Sequence, residues 1–138
     1  MPVKLPRNYR PSEDESFMNA KQKEYFRKKL LSWREDILSE TSETLLHLQE
    51  GGLQEADIAD RASLETDRSL ELRTRDRARK LISKIDDALK RIEEGTYGYC
   101  EETDEPISLK RLEARPIATL SIEAQERHER LERTRRDD

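Results

Sequence analysis

Cys100 and Thr103, followed after 17 intervening residues by Ser121 and Ala124, keep the spacing of two metal-binding pairs in which one position still carries sulfur. A structural zinc site takes four soft or borderline ligands in a tetrahedron, often as two Cys-x-x-Cys pairs. Threonine and serine hydroxyls stay protonated near neutral pH, and alanine has no donor. Asp104, Glu123 and His128 stand near Cys100 in sequence and would complete a four-ligand set. Their spacing is unusual for a structural site, however, and acids are abundant throughout the chain. The expectation is a knuckle that folds without zinc. Tyr97, Tyr99, Ile107, Leu109, Leu112, Ile117, Leu120 and Ile122 can supply a small core, with serine and threonine hydroxyls bonding backbone where sulfur would bind metal. Cys100, the only cysteine, reads as a small buried hydrophobe.

A second pair of reactive types is Asp57 and Asp60 in GGLQEADIADRASLETD. Asp57 suits a helix N-cap, Asp60 suits the acid of a capping box, and both favour the positive end of a helix dipole. The same carboxylates can act on a metal ion or a basic group inside a narrow cavity. A free-standing catalytic site is not expected, because the stretch has no base partner and no pocket walls. A basic face follows in ELRTRDRARKLISK, where Arg73, Arg77, Lys80 and Lys84 fall on related faces of one helix. It is either a solvated face with intrahelical ion pairs or a docking surface for an acidic protein or a phosphorylated small molecule. Arg115, in LEARP, can join it.

These residues need elements to position them. Residues 1–15 hold Pro2, Pro6 and Pro11 without apolar periodicity and read as an irregular N-terminal arm. From Ser16 to Glu50 there is no proline or glycine, and Phe26, Leu30, Trp33 and Ile37 recur at helical steps, continuing through Thr41 to Leu45 and Leu48. Gly51-Gly52 is expected to end this helix. A second uninterrupted run, Asp57 to Glu94, carries the seam Leu81, Ile85, Ala88 and Ile92, with Leu89 beside it, thinner support from Leu70, Leu72 and Ala78, and Gly95 as its stop. Two helices joined by a short turn pack antiparallel. Each is roughly 50 Å long at the standard rise. With the turn centred near residue 54, facing residue numbers add to about 108 in an antiparallel pair, which sets Ile37 near Leu70 and Leu72 and Trp33 near Ala78. Thr41 and Thr44 dilute the seam, so the distal third is expected to be the least stable part. The fold class is mainly α. A long antiparallel coiled-coil hairpin spans 16–95 with its tip near 51–62, a degenerate zinc-finger-like module without zinc spans 96–120, and a C-terminal helix spans 121–138.

Composition agrees. Of 138 residues, 33% are hydrophobic, 42% charged and 5% aromatic, too polar for a thick core and suited to long helices with a narrow seam. The formal charge of -4 leaves no general basic excess, so direct DNA binding is not expected. One cysteine excludes an internal disulfide and suits a reducing compartment. No stretch approaches a membrane span, and the protein is read as soluble, cytoplasmic and without a membrane partner.

Taken in order, DIADRA, SLELRTRDRARKLISKI, YGYC and KRLEARP resemble the DksA/TraR zinc-finger family, over about Phe17 to Glu129. The resemblance implies a non-enzymatic, monomeric transcription regulator that binds RNA polymerase core or holoenzyme and inserts its coiled-coil tip into the secondary channel. There it would alter open-complex stability at ribosomal RNA and stringent-response promoters. The family tip motif matches Asp57, Asp60 and Ala62. Arg77 matches a polymerase-docking arginine, and Arg73 on the same basic face is read as docking with it. Leu81, Lys84 and Arg115 match positions that, with the polymerase, bind the co-regulator guanosine tetraphosphate (ppGpp). This sequence departs from the family pattern at Thr103, Ser121 and Ala124, which replace zinc cysteines, and at Gln125, which stands where the ppGpp site commonly has lysine. Two other readings are a transcript-cleavage-type polymerase factor and a non-catalytic coiled-coil interaction module.

Overall fold

A computed structural model describes residues 3–54 and 61–137, with side chains over 3–50 and 64–135. Four helices follow in chain order: α1 (Ala20–Gln54), α2 (Arg61–Glu94), α3 (Leu109–Ala114) and α4 (Ile122–Asp137). The protein is mainly helical. The extended pairing among the described residues is a single antiparallel bridge between Tyr99 and Pro106.

Helix α1 starts later than the glycine- and proline-free run allows. Met18 has φ 50°, outside the helical region, and Asn19 caps the helix by accepting a hydrogen bond from the Gln22 amide at 2.9 Å. At its other end α1 passes through Gly51-Gly52 and continues to Gln54, contrary to expectation. A glycine within a helix costs about 1 kcal/mol and does not by itself stop one. Helix α2 ends where the sequence indicates. Gly95 has φ 82°, and the amides of Thr96 and Tyr97 both donate to the Arg91 carbonyl, satisfying the C-terminus.

Contacts divide the chain into two compact units, one made of residues 1–30 with 87–138 and the other of residues 31–86. In the first, Phe26, Leu30, Ala88, Ile107, Leu112 and Ala124 are fully buried, and Tyr97 and Cys100 nearly so. Burying each large side chain contributes roughly 1.5–3 kcal/mol. Phe26 stacks near Tyr97, with ring centroids 5.6 Å apart. Lys29 joins α1 to α3 through an ion pair with Glu113 at 2.8 Å. The arm is tied to α1 by Gln22, whose buried side chain donates to the Ser12 carbonyl and accepts from the Met18 amide.

The second unit pairs the remaining lengths of α1 and α2. Its buried residues are Ile37, Ala78 and Ile85. Arg34 is ion-paired with Asp86 at 3.0 Å. A groove of about 550 Å³ sets Trp33, Ile37, Thr41 and Thr44 beside Thr74, Ala78 and Leu81. The helices are therefore antiparallel, with Trp33 beside Ala78 as expected, but Ile37 shares that groove with Ala78 and Leu81 rather than with Leu70 and Leu72. Leu70 and Leu72, expected opposite Ile37, are 42% and 65% exposed. The difference accompanies α1 running past its glycines to Gln54, with α2 starting at Arg61. Asp57 and Asp60 lie outside the described residues, as does the side chain of Ala62.

Candidate functional site

The four knuckle positions come together within the first unit. The first turn is built on backbone bonds: the Cys100 amide donates to the Glu105 carbonyl at 2.8 Å, the Asp104 amide to the Cys100 carbonyl at 2.9 Å and the Ile107 amide to the Gly98 carbonyl at 2.7 Å. Asp104 takes φ 61°, a left-handed turn residue. The second turn is the start of α4, where the Ser121 hydroxyl accepts from the Ala124 amide at 3.3 Å. Glu101 links the two turns by donating its amide to the Thr119 carbonyl at 2.9 Å. His128 of α4 pairs with Glu102 of the first turn.

The Cys100 thiol is nearly inaccessible. Burial pushes its pKa up, but hydrogen bonds from the Thr103 side chain and from the backbone of Ser121, Thr103 and Glu102 outweigh that effect and hold it at about 6. Cys100 is buried, as read from sequence, and its lowered thiol is what that reading left out. The signal was present in its spacing from Thr103 and Ser121, which place donors around sulfur where ligands would surround a metal.

Those donors do not make a zinc site. One sulfur, two hydroxyls already engaged with the fold and the buried methyl of Ala124 cannot furnish four ligand atoms. No group of three or more His, Cys, Asp or Glu among the described residues is placed to hold a metal. Asp104, Glu123 and His128 therefore form no such group with Cys100, and His128 is engaged with Glu102.

On α2, Arg73, Arg77, Lys80 and Lys84 follow at steps of four, three and four, so they share one face. All four are exposed, and none makes an ion pair with a described residue. Their neighbours differ: Arg75 pairs with Glu71 and Arg79 with Asp76. Leu81 lines the groove beside Ile37 and Ala78, in the same unit. Arg115 and Gln125 belong to the other unit. Arg115 is exposed and terminates α3, its amide donating to the Arg111 carbonyl at 2.7 Å. The Gln125 side-chain NH2 donates to the Glu129 carboxylate at 3.3 Å.

A helix pair with an exposed cationic face, unpaired among the described residues, and a knuckle held by hydrogen bonds define a mainly helical protein of the zinc-knuckle type, without the knuckle's ligand set. Residues 22–92 match the family described as DnaK suppressor protein DksA, N-terminal domain. Residues 95–130 match the prokaryotic dksA/traR C4-type zinc finger. The chain belongs to the DksA/TraR family, as a member that keeps one of the four cysteines. It is 70% identical over 131 residues to the RNA polymerase-binding transcription factor DksA of Caulobacter vibrioides, covering 95% of this chain and 92% of that protein. The protein of the same description from Escherichia coli is 44% identical over 115 residues, covering 83% and 76%. Among solved structures, transcription factor DksA2 from Pseudomonas aeruginosa is similar with a TM-score of 0.70 and 39% identity, over 85% of this chain and 90% of that one.

Proposed function

We propose that this protein is a transcription factor that binds RNA polymerase directly and performs no covalent chemistry. The observation that carries the reading is the row Arg73, Arg77, Lys80 and Lys84, an exposed cationic face with no acidic partner among the described residues. Such a face suits an acidic protein surface, where charge complementarity sets encounter rate and register. Relatives described as RNA polymerase-binding factors support polymerase as that surface. The family resemblance extends the proposal. The tip residues Asp57, Asp60 and Ala62 enter the secondary channel and change open-complex stability, with Arg73 and Arg77 docking the helix pair.

Leu81, Lys84 and Arg115 are proposed to hold ppGpp together with the polymerase. At Gln125 this chain has a neutral amide engaged with Glu129. A charge-assisted bond to phosphate is roughly twice as strong as a neutral one, so the ppGpp response is proposed to be weaker than in a chain with lysine there. The knuckle is proposed to serve as a metal-free scaffold.

The test is binding to core RNA polymerase, followed by transcription in vitro from a ribosomal RNA promoter with and without ppGpp. Arg77→Ala should lose binding. Asp57→Asn should bind as the native chain does and lose most regulation. An Asp57→Asn variant that regulates normally refutes the tip mechanism. Metal analysis of the same preparation should find no stoichiometric zinc.

A further inference from the structure

Arg115, assigned to ppGpp above, stands exposed at the end of α3, a helix of six residues. A helix so short is not stable alone, so what α3 is tied to decides where its end stands. Leu109 and Leu112 are buried. The residue after Arg115 is anchored through the Pro116 carbonyl, which accepts from the Tyr97 hydroxyl at 2.7 Å. The Arg111 guanidinium donates to the Leu120 carbonyl at 2.9 Å. The Arg115 backbone is engaged on both sides, its amide with the Arg111 carbonyl at 2.7 Å and its carbonyl with the Ala118 amide at 3.0 Å. Its guanidinium makes no ion pair with a described residue.

The acid nearest to Arg115 in sequence is Glu113, two residues before it. A free carboxylate so close would compete with phosphate for the guanidinium and repel the ligand. Lys29 of α1 engages it instead, Nζ to Oε2 at 2.8 Å, across 84 residues of sequence. Lys29 is itself held, its Nζ 5.9 Å from the centroid of the Tyr25 ring one turn earlier. Burial pushes the Glu113 pKa up, but bonds from Lys29 and Tyr25, with a smaller pull from Arg10 of the arm, outweigh it and leave the carboxyl below its ordinary value. The acid is therefore charged near neutral pH and committed to α1. Lys29 and Glu113 are 33% and 35% exposed, so their pair adds little to stability. Its consequence is for the charge at the end of α3.

We propose that Lys29 is a positioning residue for ppGpp: by holding Glu113 against α1, it keeps Arg115 free to bind phosphate. This rests on the ppGpp reading above. All of the groups named lie in the first unit. Gln125, in the same unit, is neutral, so Arg115 is the assigned ppGpp cation that this unit retains, and its freedom weighs more than it would beside a lysine. An arginine paired within its own chain must break that pair before it binds, and a charge-assisted bond to phosphate needs an available cation.

The test titrates ppGpp in transcription from a ribosomal RNA promoter, with polymerase saturated by the full chain and circular dichroism on each variant. Arg115→Ala defines the response without this site. Lys29→Met should raise the ppGpp concentration for half-maximal effect about two- to fivefold, the scale of one exposed charge pair. Its polymerase affinity without ppGpp should match the native chain's. Adding Glu113→Gln to Lys29→Met should restore the native midpoint, because the released acid is gone. A merely structural role for the pair predicts no such recovery. Lys29→Arg should keep the native midpoint, and the Lys29→Met shift should shrink as salt rises. Should Lys29→Met lose helix signal, Lys29→Gln carries the test with the same expected direction. A native midpoint in Lys29→Met, with the response lost in Arg115→Ala, overturns this inference and leaves the ppGpp reading intact. A Lys29→Met shift that Glu113→Gln does not reverse overturns it as well. No ppGpp response in the native chain, or a native response in Arg115→Ala, sinks the ppGpp reading and this inference together.

Discussion

Tyr97 donates its hydroxyl hydrogen to the Pro116 carbonyl oxygen at 2.7 Å, across 19 residues of sequence. The donor is 2% exposed, and burial pushes its pKa up, so the hydroxyl keeps its proton throughout the range in which the protein is handled. Tyr97→Phe keeps the ring against Phe26 and leaves the Pro116 carbonyl without that donor. A buried acceptor left unmade costs about 1–3 kcal/mol. The urea midpoint should fall by the corresponding amount with an unchanged slope. An unchanged midpoint would show that the bond contributes nothing net.

Cys100 makes stability depend on pH, in a direction fixed by its surroundings. Its thiol is lowered from the usual 9.0 to about 6 in the fold, where hydrogen bonds favour the thiolate over the opposing effect of burial. An acid with a depressed pKa stabilises the fold fully above its unfolded value, and that stabilisation is lost as pH falls through the folded value. The melting temperature of the native chain, relative to Cys100→Ser, should therefore rise between about pH 6 and pH 9. A flat difference across that interval would mean that the thiol stays protonated. The thiolate's ultraviolet absorbance, titrated in the folded chain, gives an independent midpoint.

Much of the helical fold could be read from sequence, because a periodic seam reports burial directly. Phe26, Leu30, Ile37, Ile85, Ala88 and Ile92 recur at helical steps and are buried. Gly95 stops α2 because the chain needs a positive φ there. Gly51-Gly52 misled because a helix tolerates glycine at modest cost when its neighbours continue the pattern. That misplacement propagated into the register and set Leu72 against Ile37. The exposure of Arg73, Arg77, Lys80 and Lys84 followed from their spacing on the polar side of the seam. The state of Cys100 was harder to read, since it depends on backbone amides from Glu102 and Ser121 whose convergence is a tertiary property.

Gly98 fits its place for two separate reasons. Its φ of 91° lies where side chains are strained, and a Cβ there would stand 3.2 Å from Met18 and from Phe17. Those residues bring the arm against the knuckle, and Phe17 meets the Tyr99 ring edge-on at 5.4 Å. Gly98→Ala should destabilise by about 1–3 kcal/mol from the backbone alone, and more if the arm is displaced. Proteolysis within residues 3–19 should then speed up relative to cleavage elsewhere. Equal stability of Gly98→Ala and the native chain would mean that the arm yields freely at this point.

The register of α1 against α2 can be tested by substitutions that the two possible alignments rank differently. In the observed register Ile85 is fully buried and Leu72 is 65% exposed. Ile85→Ala should cost about 2–5 kcal/mol, while Leu72→Ala should change stability by no more than about 0.5 kcal/mol. Had Leu72 faced Ile37, truncating it would open the seam, and the two costs would be comparable. The Arg34–Asp86 ion pair supplies a second, local readout. Both side chains are substantially exposed, so solvent screens the pair and its coupling should be only about 0.2–1 kcal/mol. A double-mutant cycle with Arg34→Ala and Asp86→Ala should recover that small positive coupling, and salt should reduce it. Zero coupling here, together with a large cost for Leu72→Ala, would move α2 back to the earlier alignment and separate the row of α2 cations from the Ile37 groove.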